Sequence, residues 1–494
     1  MMMFPSSSSS WILSACLLLL LAKESLAQTT TTTTTATTTM TWEPRASYDS
    51  SADASLGRHH PIVFANETHA FLLGGSLLQN DAANDFYMYD EANDTWSSLD
   101  AISPFPGTPR SYGYGVVLSQ TNHPKAYIGF GSSVAGERLS DLWEFDMSSL
   151  VWKPLASCPG LGRRHPSMVP VYTSGGKWEL HVGLGDGLLP QGQVFSNFND
   201  YWSYDITSDV WTQLPDFPSS QRHHPFFFGM ADQSYVGLGH SDGTNPYIER
   251  DFYSYSTTLQ AWTRQPDLEA YSVPLEETDA TPVLTTTEAR VAGTEFSMEF
   301  PLVGQDAANS ELMGAIGFVL SGDGDDHNAM PEGEFLAFYP PNSPLTIPST
   351  TTSISRQQQS SNPSAAAWWR QLPSHPGPSR WAPGSFVMRG TARVYFTSGY
   401  DRLNQILHSD VWTIDLSPLF QKQTTTATST TTTATTTAIT NTTTSVVNSS
   451  TTEEEDTFTA VDYQSSSAVS TTGPVIMTSL LFAGISMGLV MFGV

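Results

Sequence analysis

The sequence is 494 residues long, with 48 acidic and 21 basic side chains and a formal net charge of −27 at pH 7. This excess of negative charge argues against a protein that binds the phosphate backbone of a nucleic acid. One of its two cysteines lies in an N-terminal segment that we expect to be removed. Cys158 would then be a lone thiol, so no internal disulfide could form. We interpret it as a small buried side chain, with an intermolecular bridge as the alternative.

Residues 1–27 are typical of a secretory signal peptide. The apolar stretch WILSACLLLLL is followed by Ser25, Leu26 and Ala27. Small residues at the last and third-last positions fit a signal-peptidase site, so we expect the mature chain to begin near Gln28. A threonine-rich linker over residues 28–39 precedes the first segment that is predicted to fold.

An acidic residue followed by alternating aromatic and aliphatic residues recurs along the chain. An apolar segment ending in glycine precedes each copy, and in most units a segment opened by arginine lies further upstream. Tryptophan segments follow the first four copies, at Trp96, Trp152, Trp211 and Trp262. Alternation of this kind indicates strands, and a period of roughly fifty residues predicts four-stranded units that stack on one another. The six copies begin at Asp85, Asp141, Asp200, Asp251, Glu334 and Asp410.

The order of glycine-ended strand, Asp-aromatic strand and spaced tryptophan resembles the kelch repeat over residues 40–420. The resemblance implies an all-β fold, a six-bladed β-propeller of kelch type. The sixth unit lacks a tryptophan strand, but TWEPRA around Trp42 matches it, so we expect this N-terminal strand to close the ring. The long fifth unit is interpreted as one blade with insertions at 266–288 and 342–366. A seventh, degenerate blade is the alternative.

Arginine and histidine open the first strand of several units. In a propeller these strands begin at one face, so the side chains should gather at one mouth of the central channel, near Asp186, His240 and Asp323. A planar guanidinium there could bind a carboxylate or a sugar. Alternatively, these residues tie each blade to the next through buried carbonyl groups. The candidate ligand-binding residues are Arg58, His60, Arg110, Arg164, His165, Arg222, His224 and Arg380.

No metal and no cofactor are predicted, because a position in the ring does not by itself bring imidazoles to bonding distance. Galactose oxidase has a similar repeat type, but LASCPGLG around Cys158 carries no motif that matches its copper site. Kelch-like sugar-acid mutarotases are a second comparison. We predict a recognition or adhesion module for a glycan or protein ligand, with a carbohydrate-active enzyme, a sugar oxidase or a mutarotase, as the alternative. A bound metal or a close carboxylate–histidine pair inside the channel would favour catalysis.

Two segments follow the predicted propeller. Residues 421–472 are rich in threonine and serine and are expected to form a disordered, glycosylated stalk. Residues 473–494 are almost wholly apolar, with no following lysine or arginine, which fits a GPI-attachment signal; a single membrane-spanning helix is the alternative. We therefore expect a protein of the secretory pathway that is anchored at the cell surface. The candidate N-glycosylation sites are Asn66, Asn93, Asn441 and Asn448.

Overall fold

A computed structural model describes residues 40–51, 55–118, 124–189, 194–242, 247–268, 271–272, 283–284, 288–301, 313–340, 369–388 and 390–420. These residues are nearly all β, as predicted, and contain no α-helix. Two short 3₁₀ helices cover Asp325–His327 and Ser417–Phe420. No helix in the described ranges has the length and apolar character needed to cross a membrane. The predicted signal peptide, linker, stalk and tail, with Asn441 and Asn448, lie outside the described residues.

The first four repeat units each form one antiparallel sheet of four strands, numbered here in chain order. Sheet 1 contains Ile62–Ala65, His69–Leu73, Phe86–Asp90 and Thr95–Ser98. Sheet 2 contains Tyr114–Leu118, Lys125–Gly129, Leu142–Asp146 and Val151–Leu155. Sheet 3 contains Ser167–Tyr172, Trp178–Gly183, Tyr201–Asp205 and Val210–Leu214. Sheet 4 contains Phe226–Met230, Gln233–Gly237, Phe252–Ser256 and Ala261–Gln265.

The fifth unit forms a larger sheet. Its four main strands, in antiparallel order, are Thr294–Pro301, Met313–Leu320, Gly333–Phe338 and Trp369–His375. Tyr271–Ser272 pairs in parallel with the last of these and in turn pairs with Val283–Leu284. These two short strands belong to the first predicted insertion, whereas the second, at 342–366, lies outside the described residues.

Sheet 6 joins the two ends of the described chain. It contains Gly384–Val387, Arg393–Thr397 and Val411–Asp415, and its fourth strand is Glu43–Arg45 from the N-terminal side. Glu43 lies opposite Thr413, and Arg45 lies opposite Val411. The TWEPRA segment therefore pairs with the DVWTID segment in one antiparallel sheet.

Short strands pair outside the main sheets, and three of these groups carry an arginine–histidine motif. Each of them begins with a motif arginine or lies in a loop that follows a glycine-ended strand. They are Arg58–His59 with Ser76–Leu77, Arg163–Arg164 with Asp186–Leu188 and Phe195–Asn197, Arg222–His223 with His240–Ser241, and Tyr400–Asp401 with Ile406–Leu407.

Tryptophan side chains on the last strand of each sheet reach the neighbouring sheet. A half-buried indole N–H needs an acceptor, and each of these donates to a backbone carbonyl. The same contact recurs for Trp42 beside Glu43–Arg45, so the N-terminal strand takes the place of the missing tryptophan strand. The donor–acceptor pairs are Trp42 to Pro373 (2.9 Å), Trp96 to Ala46 (2.9 Å), Trp152 to Ser103 (3.3 Å), Trp211 to Ala156 (2.8 Å), Trp262 to Pro215 (3.0 Å) and Trp369 to Pro266 (3.2 Å).

The core lies between the faces of adjoining sheets. Phe64, Phe71 and Phe86 of sheet 1 pack edge-on against Phe145 of sheet 2, with ring centroids 5.3–5.9 Å apart. The first strands of successive sheets lie side by side from sheet 1 to sheet 6, and that of sheet 6 also lies beside that of sheet 1. This packing brings the starts of the first strands together.

The glycine two residues after the end of each second strand has a backbone conformation that other residues rarely adopt. Gly131 has φ of 94°, and a Cβ atom there would lie 2.4 Å from the carbonyl oxygen of Ser111. The residue before it, Phe130, has φ of 63°, which other residues can adopt. The kelch glycine pair is therefore reduced to its second member in most units. That second glycine has φ of 85–95° at Gly75, Gly131, Gly185, Gly239, Gly322 and Gly399.

Candidate functional site

A buried arginine in each sheet unit pairs with the acidic residue that opens the aromatic strand. Arg58 Nη1 and Nη2 each donate to one oxygen of Asp85 at 2.7 Å, and Nη1 also donates to the carbonyl of Gly74 at 2.8 Å. The carboxylate pair recurs in all six units, and all six arginines are at most 3% exposed. The other pairs are Arg110–Asp141, Arg163–Asp200, Arg222–Asp251, Arg290–Glu334 and Arg380–Asp410.

These contacts fix the guanidinium groups in the interior of the protein. Burial alone would raise the pKa of the Asp141 carboxyl, but the hydrogen bonds and charge of Arg110 hold it below its usual value. Asp200, Asp251 and Asp410 are shifted downward for the same reason. Arg58, Arg110, Arg222 and Arg380 were expected at an exposed mouth, but the structure buries them. Their geometry favours the structural alternative, and a direct role in ligand binding is no more than a prediction.

The third unit corrects the register of the motif. The sequence pattern predicts Arg164 as the repeated arginine, yet Arg163 is the residue that pairs with Asp200, at 2.7 Å and 2.8 Å. Arg164 is an additional cation, with 24% of its side chain exposed. The His-Pro pairs at His60, His165 and His224 carry the signal that was missed, since the buried arginine stands two residues before each histidine. In the fifth unit the same spacing before Ala292 identifies Arg290.

The residue two positions after each buried arginine has a left-handed backbone, with φ of 49–63°. This conformation is uncommon outside glycine, and a Pro or Gly follows it in every unit. At this position the first four units have histidine or tyrosine, whereas the last two have alanine. The six residues are His60, Tyr112, His165, His224, Ala292 and Ala382.

Three of these residues form a buried imidazole cluster, made of His60, His165 and His224. One ring nitrogen of each lies within 4.8 Å of the other two. The Nε2 atoms of His60 and His224 are 3.0 Å apart, and the rings of His165 and His224 stack with centroids separated by 3.5 Å. The sequence predicts no metal, because ring position alone does not place the imidazoles, whereas the structure brings three of them together.

The imidazole cluster is held in the neutral state. Burial lowers the pKa of His60 and His224 well below the usual value, with nearby histidines adding to the effect. The pKa of His165 is also lowered by burial, although its hydrogen bond to Asp186 opposes this. Burial lowers the pKa of His59 to about 4 and that of His223 to about 3. At neutral pH these rings therefore keep a free lone pair.

Asp186 connects the imidazole cluster to Arg164. Its Oδ1 lies 2.7 Å from His165 Nδ1, and its Oδ2 accepts a hydrogen bond from Arg164 Nε at 3.0 Å. Burial would raise the pKa of Asp186, but these partners lower it to about 2. Asp186 is therefore an ionised carboxylate beside a neutral imidazole.

Aromatic and cationic side chains form an accessible rim next to the imidazole cluster. The guanidinium of Arg164 lies over the rings of Tyr112 and Phe195, 5.2 Å from each centroid, and Arg138 covers Phe195 at 5.6 Å. Phe195 is 48% exposed. Trp381 packs against His60 at 4.7 Å and is half-buried. We refer to Tyr112, Arg138, Arg164, Phe195 and Trp381 as the aromatic rim.

A second line of polar residues continues from the imidazole cluster. His223 contacts His240, whose Nδ1 lies 3.0 Å from Nε2 of His327. Arg402 pairs with the buried carboxylate of Asp323 and donates to the carbonyl of His327. The expected meeting of cations and carboxylates from the loops is therefore present around Asp186 and Asp323.

The other predicted residues within the described ranges have separate positions. Asn93 is exposed, whereas Asn66 is buried and its Oδ1 accepts hydrogen bonds from the backbone of Thr68 and His69 at 2.9 Å and 2.8 Å. Glycosylation at either residue is a prediction. Cys158 is buried as a free thiol, and burial raises its pKa to about 11.

Comparison with known proteins agrees with the repeated sheets. No protein-family model matches the sequence. The chain is 26% identical over 162 residues to kelch domain-containing protein 1 of Mus musculus, and 25% identical over 164 residues to that of Homo sapiens. Each match covers 32% of this chain and 37% of the relative. With the motif order and the four-stranded sheets, these similarities support a kelch-repeat family for this chain.

Proposed function

We propose that this protein is a cell-surface recognition or adhesion module that binds a glycan or a protein ligand. The binding surface is the aromatic rim around Arg164, at the loop face. The observation that carries this proposal is the stacking of the partly exposed Arg164 on Tyr112 and Phe195, beside a buried carboxylate. Aromatic faces and planar guanidinium groups are enriched in binding surfaces, and they suit sugars and carboxylates.

The proposed scaffold is a six-bladed ring closed by the N-terminal strand. Its support is the side-by-side order of the first strands and the indole of Trp42, which repeats the contact made by five other tryptophans. Replacing Trp42 by alanine should lower the free energy of unfolding by about 3 kcal/mol. Trp178, whose indole has no hydrogen-bond partner, provides the control variant. Equal urea denaturation midpoints for the two variants would contradict closure by this strand.

The proposed location rests on residues 1–27 and 473–494. We propose that the signal peptide directs the chain to the secretory pathway and that a GPI anchor replaces the apolar tail. Treating intact cells with a phosphoinositide-specific phospholipase should release the protein. Recovery of a mature peptide that ends at Val494 would instead support the membrane-spanning helix.

The binding surface can be tested on cells that display the full chain. Arg164→Gln should reduce the affinity for a carboxylate-bearing glycan at least about tenfold, since one charge-assisted hydrogen bond contributes about 1.5–3 kcal/mol. Arg264→Gln removes a cation that is 60% exposed and paired with Asp267, and serves as the control. Labelled acidic and neutral glycan polymers would be titrated by flow cytometry at matched surface expression. Binding that is equal for the parent and Arg164→Gln would contradict this surface.

The enzyme alternative has one specific observation in its favour. His165 and Asp186 form the close carboxylate–histidine pair, at 2.7 Å, that a general base would need. A mutarotase-like reaction requires only proton transfer at the sugar ring. Accelerated exchange of the anomers of a sugar acid, followed by NMR and lost in Asp186→Asn, would support catalysis. Exchange at the uncatalysed rate would favour recognition alone.

A further inference from the structure

We propose that His60, His165 and His224 form a binding site for a late first-row divalent metal ion, with Zn²⁺ and Co²⁺ as test ions. The three imidazoles come from sheet units 1, 3 and 4 and are each at most 7% exposed. One nitrogen of each lies within 4.8 Å of the others, and two Nε2 atoms are 3.0 Å apart. Imidazole is a preferred ligand of such ions, and three-histidine sites are well suited to Zn²⁺.

The surroundings of the imidazole cluster resemble the second layer of a metal site. A ligating histidine usually places its other nitrogen against a carboxylate, and His165 Nδ1 lies 2.7 Å from Asp186 Oδ1. His165 Nε2 is then buried with no hydrogen-bond partner, and so is His224 Nδ1. Burying a polar nitrogen without a hydrogen-bond partner destabilises the folded state, and a ligand bound to these two atoms would remove that cost. His59 Nδ1 supports His60 Nδ1 at 2.7 Å.

Metal binding requires a local rearrangement. A metal ion lies in the plane of each imidazole that it contacts, but the rings of His165 and His224 are stacked at an angle of 27°. They must therefore turn apart. A cavity of about 90 Å³ begins at His60 and His224 and is lined further by Tyr114 and Glu295, which leaves space for rotation and for a water ligand.

The test uses the purified full-length protein, stripped with a chelator and titrated with Co²⁺ and Zn²⁺. We expect one ion per chain, visible as Co²⁺ absorption bands of nitrogen ligation and as heat in calorimetry. His60→Ala and His224→Ala should each lower the affinity by on the order of 100-fold or more. Asp186→Asn should lower it about 10–100-fold, the range seen for outer partners of metal ligands. His69→Ala, which removes an imidazole on sheet 1 outside the cluster, should leave the affinity unchanged.

Two results would overturn the proposal. One is the lack of saturable binding to the folded parent protein. The other is binding that survives in His60→Ala and His224→Ala but is lost in His240→Ala, which would place the ion at the His240–His327 pair. If an alanine variant fails to fold, His60→Gln replaces it, because glutamine keeps a polar side chain of similar size. The rise in melting temperature with added Zn²⁺ in the parent, absent in His60→Gln, is then the deciding readout.

Discussion

The buried arginines and the imidazole cluster stand two residues apart in the same motif, yet their surroundings differ. Arg163 meets two carboxylate oxygens and two backbone carbonyls, so its donors are satisfied within the chain. His165 and His224 are equally buried, but each keeps a nitrogen without a hydrogen-bond partner. The arginine recurs in every sheet unit, whereas the histidine is replaced by tyrosine or alanine in three of six. We interpret a buried residue as structural when its hydrogen-bond donors have partners and it recurs in every unit. We interpret a buried residue as functional when it keeps a nitrogen without a partner and its identity varies between units.

The largest effect is expected from breaking one buried arginine pair. Arg163→Ala removes the charged partner of Asp200, which keeps the indole N–H of Trp202, and leaves the carbonyl of Leu184 without its donor. The free energy of unfolding, measured by urea denaturation, should fall by about 3–5 kcal/mol. Arg264→Ala breaks the exposed pair with Asp267 and should cost less than about 1 kcal/mol. Similar losses for the two variants would show that the buried pair has no special structural role.

A smaller loss of stability is expected when the positive charge at position 163 is kept and the planar guanidinium group is removed. Arg163→Lys retains a cation near Asp200, but an ammonium group cannot reach the carboxylate and the carbonyl of Leu184 in the same geometry. We expect the free energy of unfolding to fall by about 1–3 kcal/mol. Arg264→Lys is the control and should match the parent in the same urea titration. A fully stable Arg163→Lys would mean that charge alone holds the sheet together.

The buried histidines predict a loss of stability in acid. His375 is 2% exposed, and burial lowers its pKa to about 3. The unfolded chain takes up a proton near pH 6.5 while the folded chain does not, so stability falls as the pH drops below 6.5 toward 3. His375→Gln should reduce the loss between pH 6.5 and 5.5 by up to about 1 kcal/mol, measured from urea midpoints. His69→Gln is the control, and an unchanged pH slope in His375→Gln would contradict this assignment.

The sequence was sufficient to predict the aromatic strands of the main sheets and the order of the repeat units. Alternation and repeat spacing identified Phe86–Asp90 and its five counterparts, and the tryptophan pattern identified the partner of Val411–Asp415. The register of the arginine motif in the third unit was wrong because two adjacent arginines, Arg163 and Arg164, both fit the pattern. In the structure, Arg163 is buried and Arg164 is partly exposed. In the sequence, only the two-residue spacing to His165 distinguishes them.

The imidazole cluster could not be predicted from the sequence. His60, His165 and His224 are far apart along the chain, and their meeting depends on the side-by-side packing of the first strands of the sheets. The backbone at each of them is left-handed, with φ of 50°. Neither the spacing of the repeats nor the composition predicts this φ value. The His-Pro pairs are visible in the sequence, but their shared backbone conformation is not.

The division between structural arginines and ligand-binding histidines is tested most directly by measuring stability and metal binding on the same two variants. Arg163→Lys should lower the free energy of unfolding by about 1–3 kcal/mol and still bind one Co²⁺ ion with the parent affinity. His224→Ala should lose Co²⁺ binding by on the order of 100-fold, with a smaller loss of stability, because His224 Nδ1 makes no hydrogen bond in the folded chain. The reverse pattern, with binding lost in Arg163→Lys and kept in His224→Ala, would contradict the division between structural arginines and ligand-binding histidines.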